Sequence, residues 1–247
     1  MSNVKDAIRE MLHEYDELFY SDVMKLIRKK YPRYVALYTP VLIKPDFAII
    51  GTNPSWFIGE PPNDRDLEDE EDNRTNSLKG VHDINSYIAY PEPTYHKAIK
   101  RFFSRFLEKK NNSFSEELTN TYIKDNIMGW NSQFIQTGSA GLGDLKKICT
   151  GNPNLENILK KANYISKNIL ELVKPSVVIH FGKPSALASG SYQDKNLETL
   201  RASNPKNTRH GGKRVVFHHP SQGYSNIDRD EDIDLLIDLL SKRDVLK

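Results

Sequence analysis

The chain has one cysteine, Cys149, in 247 residues. That scarcity excludes a disulfide scaffold, a four-thiolate zinc site and an iron–sulfur cluster held within the chain. It also excludes the Cys-x-x-Cys pair of a zinc deaminase. No apolar run approaches the roughly 20 residues of a membrane-spanning helix. The opening MSNVKDAIREMLHEYDEL is charged throughout, unlike a secretory signal. A cytoplasmic, reducing location without a membrane partner is expected. Net charge is nearly absent: 35 Lys and Arg against 33 Asp and Glu leave +2, so the molecule as a whole is no polyanion trap. There is no glycine-rich phosphate loop with its lysine and no G-x-S-x-G elbow, and GSAGLGDL (138–145) lacks dinucleotide spacing.

Hydrophobic residues at 38% and charged residues at 28% are ordinary for a globular protein. The length suits one large α/β domain or two small ones. With no internal repeat and no domain-sized linker, a single domain over 1–247 is expected. The charges are unevenly spread. DRDLEDEEDNR (64–74) is acidic, whereas HKAIKRFFSRFLEKK (96–110) and KNTRHGGKR (206–214) are basic. A local basic face suits nucleic acid, although the helical stretch also reads as a plain polar helix face.

Apolar positions at helical spacing (Val4, Ala7, Ile8, Met11, Leu12, then Val23, Leu26, Ile27) predict helices over 3–31, with Ser21 as a cap and Pro32 as the stop. This makes 1–43 an N-terminal helical segment. DFAIIG (46–51) reads as a strand buried on both faces. Residues 57–93 carry the acidic run with little periodicity and read as a long loop excursion. Residues 94–110 predict an amphipathic helix with Ala98, Ile99, Phe102, Phe103, Phe106 and Leu107 on one face. NIMGWNSQFIQTGS (126–139) should hold a strand, with limits blurred by Gly129. NLENILKKANYISKNILELV (154–173) predicts a helix with Asn154 as cap, broken by Pro175 before the strand SVVIHFG (176–182). KPSALASG starts a short helix, KRVVFHHPS (213–221) is the last strand, and DEDIDLLIDLLSKR (230–243) closes the chain as a helix. Strands alternating with helices imply a mostly parallel sheet covered on both faces.

In such sheets ligands bind beyond the carboxyl ends of the strands. Two exits are chemically unusual: Gly51-Thr52-Asn53-Pro54-Ser55-Trp56 after the first strand, and His219-Pro220-Ser221 after the last. Gly51 permits a close backbone approach and Pro54 stiffens the exit, so Asn53 projects a short amide from a rigid loop. His218 and His219 are neighbours, so on a strand they face opposite ways and do not share a metal. An amide and an imidazole remain, with no metal and no cofactor expected.

These motifs, with VVIHFGKPSA between them, resemble the uracil-DNA glycosylase superfamily. Its first motif takes forms such as G-Q-D-P-Y, G-I-N-P-G or G-M-N-P-G, and its last commonly reads H-P-S. Gly-Thr-Asn-Pro-Ser is most similar to the asparagine-bearing branches, the mismatch-specific and single-strand-selective monofunctional enzymes. The likeness spans roughly residues 44 to 240 through short motifs. It implies a three-layer α/β/α fold around a mostly parallel four-stranded sheet. It implies DNA, single-stranded or a mismatched duplex, as partner. The implied activity swings a damaged base out of the stack and hydrolyses its N-glycosidic bond through an oxocarbenium-like sugar.

On that resemblance Asn53 orients the attacking water, more slowly than a carboxylate that could remove a proton. His219 donates to the departing base as charge develops, and Ser221 donates to a DNA phosphate. Gly51, Thr52 and Pro54 line the pocket. Asn131, with Gln133 as alternate, reads the base edge because an amide offers a donor and an acceptor together. Trp56 or Phe57 stacks on the base, although either ring could equally pack in the core. The chain departs from the family at Ser55, where relatives have glycine or tyrosine. It departs again at Gln222-Gly223-Tyr224, which replaces the wedge-bearing Pro-Leu. The acidic run at 64–74 would oppose duplex DNA if it lay near the groove. A catalytically silent nucleic-acid-binding module and a hydrolase of free nucleosides are the competing expectations.

Overall fold

The computed structural model describes residues 2–29, 31–51, 84–89, 94–112, 115–136, 152–181, 206–207, 213–217 and 230–244. The amphipathic start folds as α1 (Ser2–Phe19), burying Ile8, Leu12, Tyr15 and Phe19. A 3-10 turn (Asp22–Met24) and the one-turn α2 (Lys25–Arg28) come next. Ser21 does not act as the expected cap: its hydroxyl donates to the Leu18 carbonyl at 2.6 Å.

Helical structure ends there, short of the 1–43 expected. Pro32 lacks a donor and disfavours helical backbone at Tyr31. The stretch YVALYT after it is rich in aromatic and β-branched residues that suit extended chain.

Strand β1 (Phe47–Gly51) is buried at all five positions. The one-turn α3 (Ser86–Ala89) lies within the stretch expected to be a loop. Helix α4 (Thr94–Asn111) buries all six apolar positions of its predicted stripe. Helix α5 (Glu116–Asn126) has no counterpart among the elements expected from sequence. Ser115 caps it, accepting from the Leu118 N–H at 3.0 Å, and Glu116 and Glu117 complement the dipole in its first turn. Strand β2 (Ile127–Asn131) begins at the next residue.

Helix α6 (Pro153–Val173) starts one residue earlier than expected. Asn152, not Asn154, is the cap, its Oδ1 accepting from the N–H groups of Asn154 and Leu155 at 3.1 and 3.3 Å. Pro153 supplies a preset φ at the first helical position, where no N–H is needed. Lys174, left-handed at φ 53°, ends the helix before Pro175. Strand β3 (Val177–Phe181), the two-residue β4 (Lys206–Asn207), β5 (Lys213–Phe217) and α7 (Asp230–Asp244) complete the described chain.

The fold is α/β, and its sheet order is β2-β1-β3-β5-β4. The neighbours β2–β1, β1–β3 and β3–β5 are parallel, while β4 runs antiparallel along β5. The expectation was four strands; β4, inside the stretch expected to be a basic loop, makes a fifth at the edge. Helices cover both faces. Ala48, Ile50, Met128, Trp130 and Val178 pack with α1 and α6. Phe47, Ile49, Ile127, Val177, Ile179 and Val215 pack with α4, α5 and α7. On the first face the buried Trp130 Nε1 donates to Ser166 Oγ on α6 at 2.9 Å, so the indole N–H keeps a partner away from water.

The free edge of β2 is closed by residues 31–41, which run antiparallel beside it. Val35 N donates to Phe134 O, Asn131 N to Ala36 O and Tyr38 N to Gly129 O. Thr39 Oγ1 accepts from Gly129 N at 2.9 Å, so a side chain completes the ladder next to Pro40. This strap leaves those backbone groups satisfied rather than open to another chain.

Candidate functional site

Register places three strand ends on one line. Gly51 pairs with Asn131, Ile50 with His180, His180 with Val216 and Phe181 with Phe217. The carboxyl ends of β1, β2 and β5 therefore open on the same sheet edge. Ser132 binds this corner together: its N–H and its hydroxyl both donate to the Gly51 carbonyl, at 2.9 and 3.1 Å. The last peptide of β1 is thus fixed to the chain leaving β2.

Asn131 is fully buried at that corner. Alternation along β2 puts it on the same side as Ile127 and Gly129, the side covered by α4. Its Nδ2 donates to the Val35 carbonyl at 2.9 Å. The Tyr38 hydroxyl lies at the same carboxamide and accepts from it. Burial pushes that phenol well above the ordinary tyrosine range, and the Asn131 contact opposes the push without cancelling it. Asn131 Oδ1, by contrast, is buried with no hydrogen-bond donor among the described residues. An unsatisfied carbonyl of this kind costs about 1–3 kcal/mol, which the surrounding packing must offset. It rests against Gly51, where a Cβ would come within 2.7 Å of it. Glycine at 51 is what gives that oxygen room.

Beneath Asn131 lies an aromatic group that the sequence pattern did not single out. Tyr38 and Tyr87 stack with centroids 5.6 Å apart, and the His96 ring meets both edge-on at 5.9 and 5.3 Å. The Tyr95 ring adjoins them at 5.9 Å from Tyr38. The Tyr87 hydroxyl sits over Gly129 so closely that a Cβ there would lie 2.2 Å away. Burial raises the phenol pKa of Tyr87 and Tyr95 well above normal, so both stay neutral. The YVALYTP run after Pro32 marks extended chain, but nothing in its pattern singles out Tyr38, which reaches this group through the pairing of the strap with β2.

Other expectations resolve differently. Gln133, the alternate edge reader, is buried but its Nε2 donates to Asn163 on α6 at 2.8 Å, away from this corner. His180 is buried on the opposite face, with Val178 and Ile50, and does not join Asn131. The basic residues of α4 are largely spoken for within the fold. Lys100 meets Glu116 at 3.0 Å, Arg105 meets Asp230 at 2.9 Å and Lys109 meets Asp234 at 2.7 Å. They tie α4 to α5 and α7.

Thr52, Asn53, Pro54, Trp56, Phe57, His219 and Ser221 lie outside the described residues, as do Ser55, Gln222, Tyr224, Cys149, the 64–74 run and the expected KPSALASG helix. Among the described residues no three His, Cys, Asp or Glu side chains are grouped to hold a metal. No described helix is long and apolar enough to cross a membrane. No family model matches the chain, and no curated protein is significantly similar to it in sequence.

Proposed function

We propose that the protein is a monofunctional DNA glycosylase of uracil-DNA glycosylase-like fold that hydrolyses the N-glycosidic bond of a flipped uracil or related damaged base. One observation carries the proposal: Gly51, Asn131 and Phe217 end three parallel strands at one level of the sheet. Asn53 and His219 each stand two residues further along the chain from that level. Between β1 and β5 lies only β3, so the two exits are about 10 Å apart by ordinary strand spacing. A separation of that size suits one sugar–base link flanked by an amide and an imidazole, the roles proposed here for Asn53 and His219. The buried Asn131 at the same corner offers an unpaired acceptor, which is the equipment a base-edge reader needs.

In this mechanism the Asn53 carboxamide holds water beneath the anomeric carbon without deprotonating it. The C–N bond breaks with its electron pair leaving on the base as an anion, the held water adds to the anomeric carbon of the sugar cation, and the proton that water then loses neutralises the departed base anion through solvent. His219 donates an N–H to the base oxygen as that charge appears. Asn131 fixes the base edge, and Ser221 anchors a phosphate. The test is release of free base from uracil-containing oligonucleotides, single-stranded and mismatched, and from deaminated-purine substrates. Release from at least one class is expected. No release from any, alongside salt-sensitive DNA binding that survives Asn53→Ala, would identify a silent binding module instead.

A further inference from the structure

The turn that joins α1 to the strap stands at the end of the sheet where the strands open. Gln136 N donates to the Arg33 carbonyl at 3.0 Å, and Tyr34 pairs antiparallel with Ile135. Residues 33 and 34 therefore run beside chain that has already passed Asn131, the carboxyl end of β2. The turn is fastened to them. Tyr31 N donates to the Ile27 carbonyl at 2.8 Å, and the Phe19 and Tyr34 rings meet at 5.3 Å. Arg28 Nη1 closes the turn on itself, donating to the carbonyls of Phe19 and Ser21 at 2.7 and 2.6 Å.

Met24 and Ile27 anchor this turn in the core. That one face suffices to fold it, yet Val23 and Leu26 are 58% and 78% exposed. Of the four large apolar side chains exposed among the described residues, only these two are neighbours, three apart in sequence. Lys25 and Lys29 flank Leu26 at i,i+4 spacing, where like charges repel. Neither meets an acid among the described residues, unlike Lys100, Arg105 and Lys109 on α4. Asp22 is the sole acid over 20–29.

We propose that Val23, Lys25, Leu26 and Lys29 form the surface over which a single nucleic-acid strand passes beside the site. The lysines take two phosphates, whose charge relieves their repulsion, and Leu26 supplies an apolar platform for the sugar or base between them. The proposal rests on the glycosylase reading and gives its substrate strand a path. An acidic peptide would match the charge equally. A side chain as open as Leu26, however, projects from the surface and does not line the pocket that an apolar peptide anchor fills. The position beside the strand exits selects nucleic acid.

The experiment measures binding of full-length protein to undamaged oligothymidine across a salt series, alongside uracil release from the same oligonucleotide carrying one uracil. The double variant Lys25→Gln/Lys29→Gln should bind about tenfold more weakly at low salt, and its slope of log K against log salt should flatten by about 1.4, at about 0.7 per lost phosphate contact. Leu26→Ser should weaken binding about threefold with the slope unchanged, because it removes apolar contact and no charge. The slope distinguishes lost phosphate contacts from general damage to the fold, and circular dichroism of both variants should match wild type. Wild-type affinity and slope in the double variant would refute the surface while uracil release keeps the glycosylase reading. Loss of oligoglutamate binding in that variant, with oligothymidine binding intact, would refute it in favour of an acidic partner. Salt-sensitive binding that depends on the two lysines, with no uracil released by wild type, would leave the strand surface standing and sink the glycosylase reading alone.

Discussion

Gly51→Ala tests the corner of the site through stability alone. No positive φ is involved at Gly51, so alanine fits the strand backbone and on propensity should gain about 0.5–1 kcal/mol. The new methyl would, however, lie 2.7 Å from Asn131 Oδ1. That is about 0.8 Å inside the ~3.5 Å of ordinary contact. The oxygen has little freedom to retreat, because the amide is held at Val35 and Tyr38. Overpacking of this kind costs about 1–3 kcal/mol, and a strained amide bond adds up to about 1 kcal/mol. The net expectation is a loss of about 1–3 kcal/mol in chemical denaturation. Removing the obstacle should reverse the sign: in an Asn131→Ala background, Gly51→Ala should be neutral or stabilising by up to about 1 kcal/mol. The double-mutant cycle then yields a coupling of at least about 1 kcal/mol. Equal effects in both backgrounds, or a stabilised single mutant, would refute the packing described between these two residues.

Gly129→Ala should be harsher, since the methyl meets the Tyr87 hydroxyl at 2.2 Å and ring carbons at 2.8 and 2.9 Å. A loss of about 3 kcal/mol or failure to fold is expected, with partial rescue by Tyr87→Phe, measured by urea midpoints. At high pH the protein should unfold cooperatively. Tyr15, Tyr34, Tyr38, Tyr87, Tyr95 and Tyr122 all have raised pKa values, chiefly from burial. Their contribution is intact below the unfolded phenol pKa near 10 and declines as pH rises past it, because only the unfolded chain then releases protons. Each group removes about 1.4 kcal/mol per pH unit. A step in phenolate absorbance should therefore coincide with the loss of circular dichroism; a titration complete before any such loss would contradict the burial of these six. Replacing Lys100, Arg105 and Lys109 with alanine should change DNA affinity by less than threefold at moderate salt, because each already faces an acid of a neighbouring helix at the surface. A large drop, or a shallower salt slope, would make α4 part of the nucleic-acid surface.

The pattern of apolar residues carried most of the architecture. FAIIG and VVIHF are short, mostly apolar runs bounded by turn residues, which suits a strand buried on both faces, and α4 matches its six-residue apolar stripe closely. The strap at 31–41 was less legible. Its stop signal at Pro32 was clear and the residues beyond suit extended chain, but their partner, β2, lies some ninety residues away and no local pattern points to it. Helix α5 was hidden because its apolar stripe is sparse, with Thr119 and Ile123 as its buried residues. At the site, Asn131 could be nominated from its place after a strand, whereas Tyr38 and Val35 could not. Their role exists only through tertiary contact with that amide. The cap of α6 moved from Asn154 to Asn152 for a local reason, the proline at its first turn.

In the proposed mechanism the chain segments leaving β1 and β5 supply a water-orienting amide and a charge-stabilising imidazole to one glycosidic bond. Single-turnover release of uracil from a single-stranded oligonucleotide, compared among wild type, Asn53→Ala and His219→Ala, bears on it without intermediaries. Wild type should release the base. Each variant should lose roughly 100-fold or more in rate while keeping its fold and its affinity for undamaged DNA. Undiminished release in either variant, or none from the wild type, would contradict it.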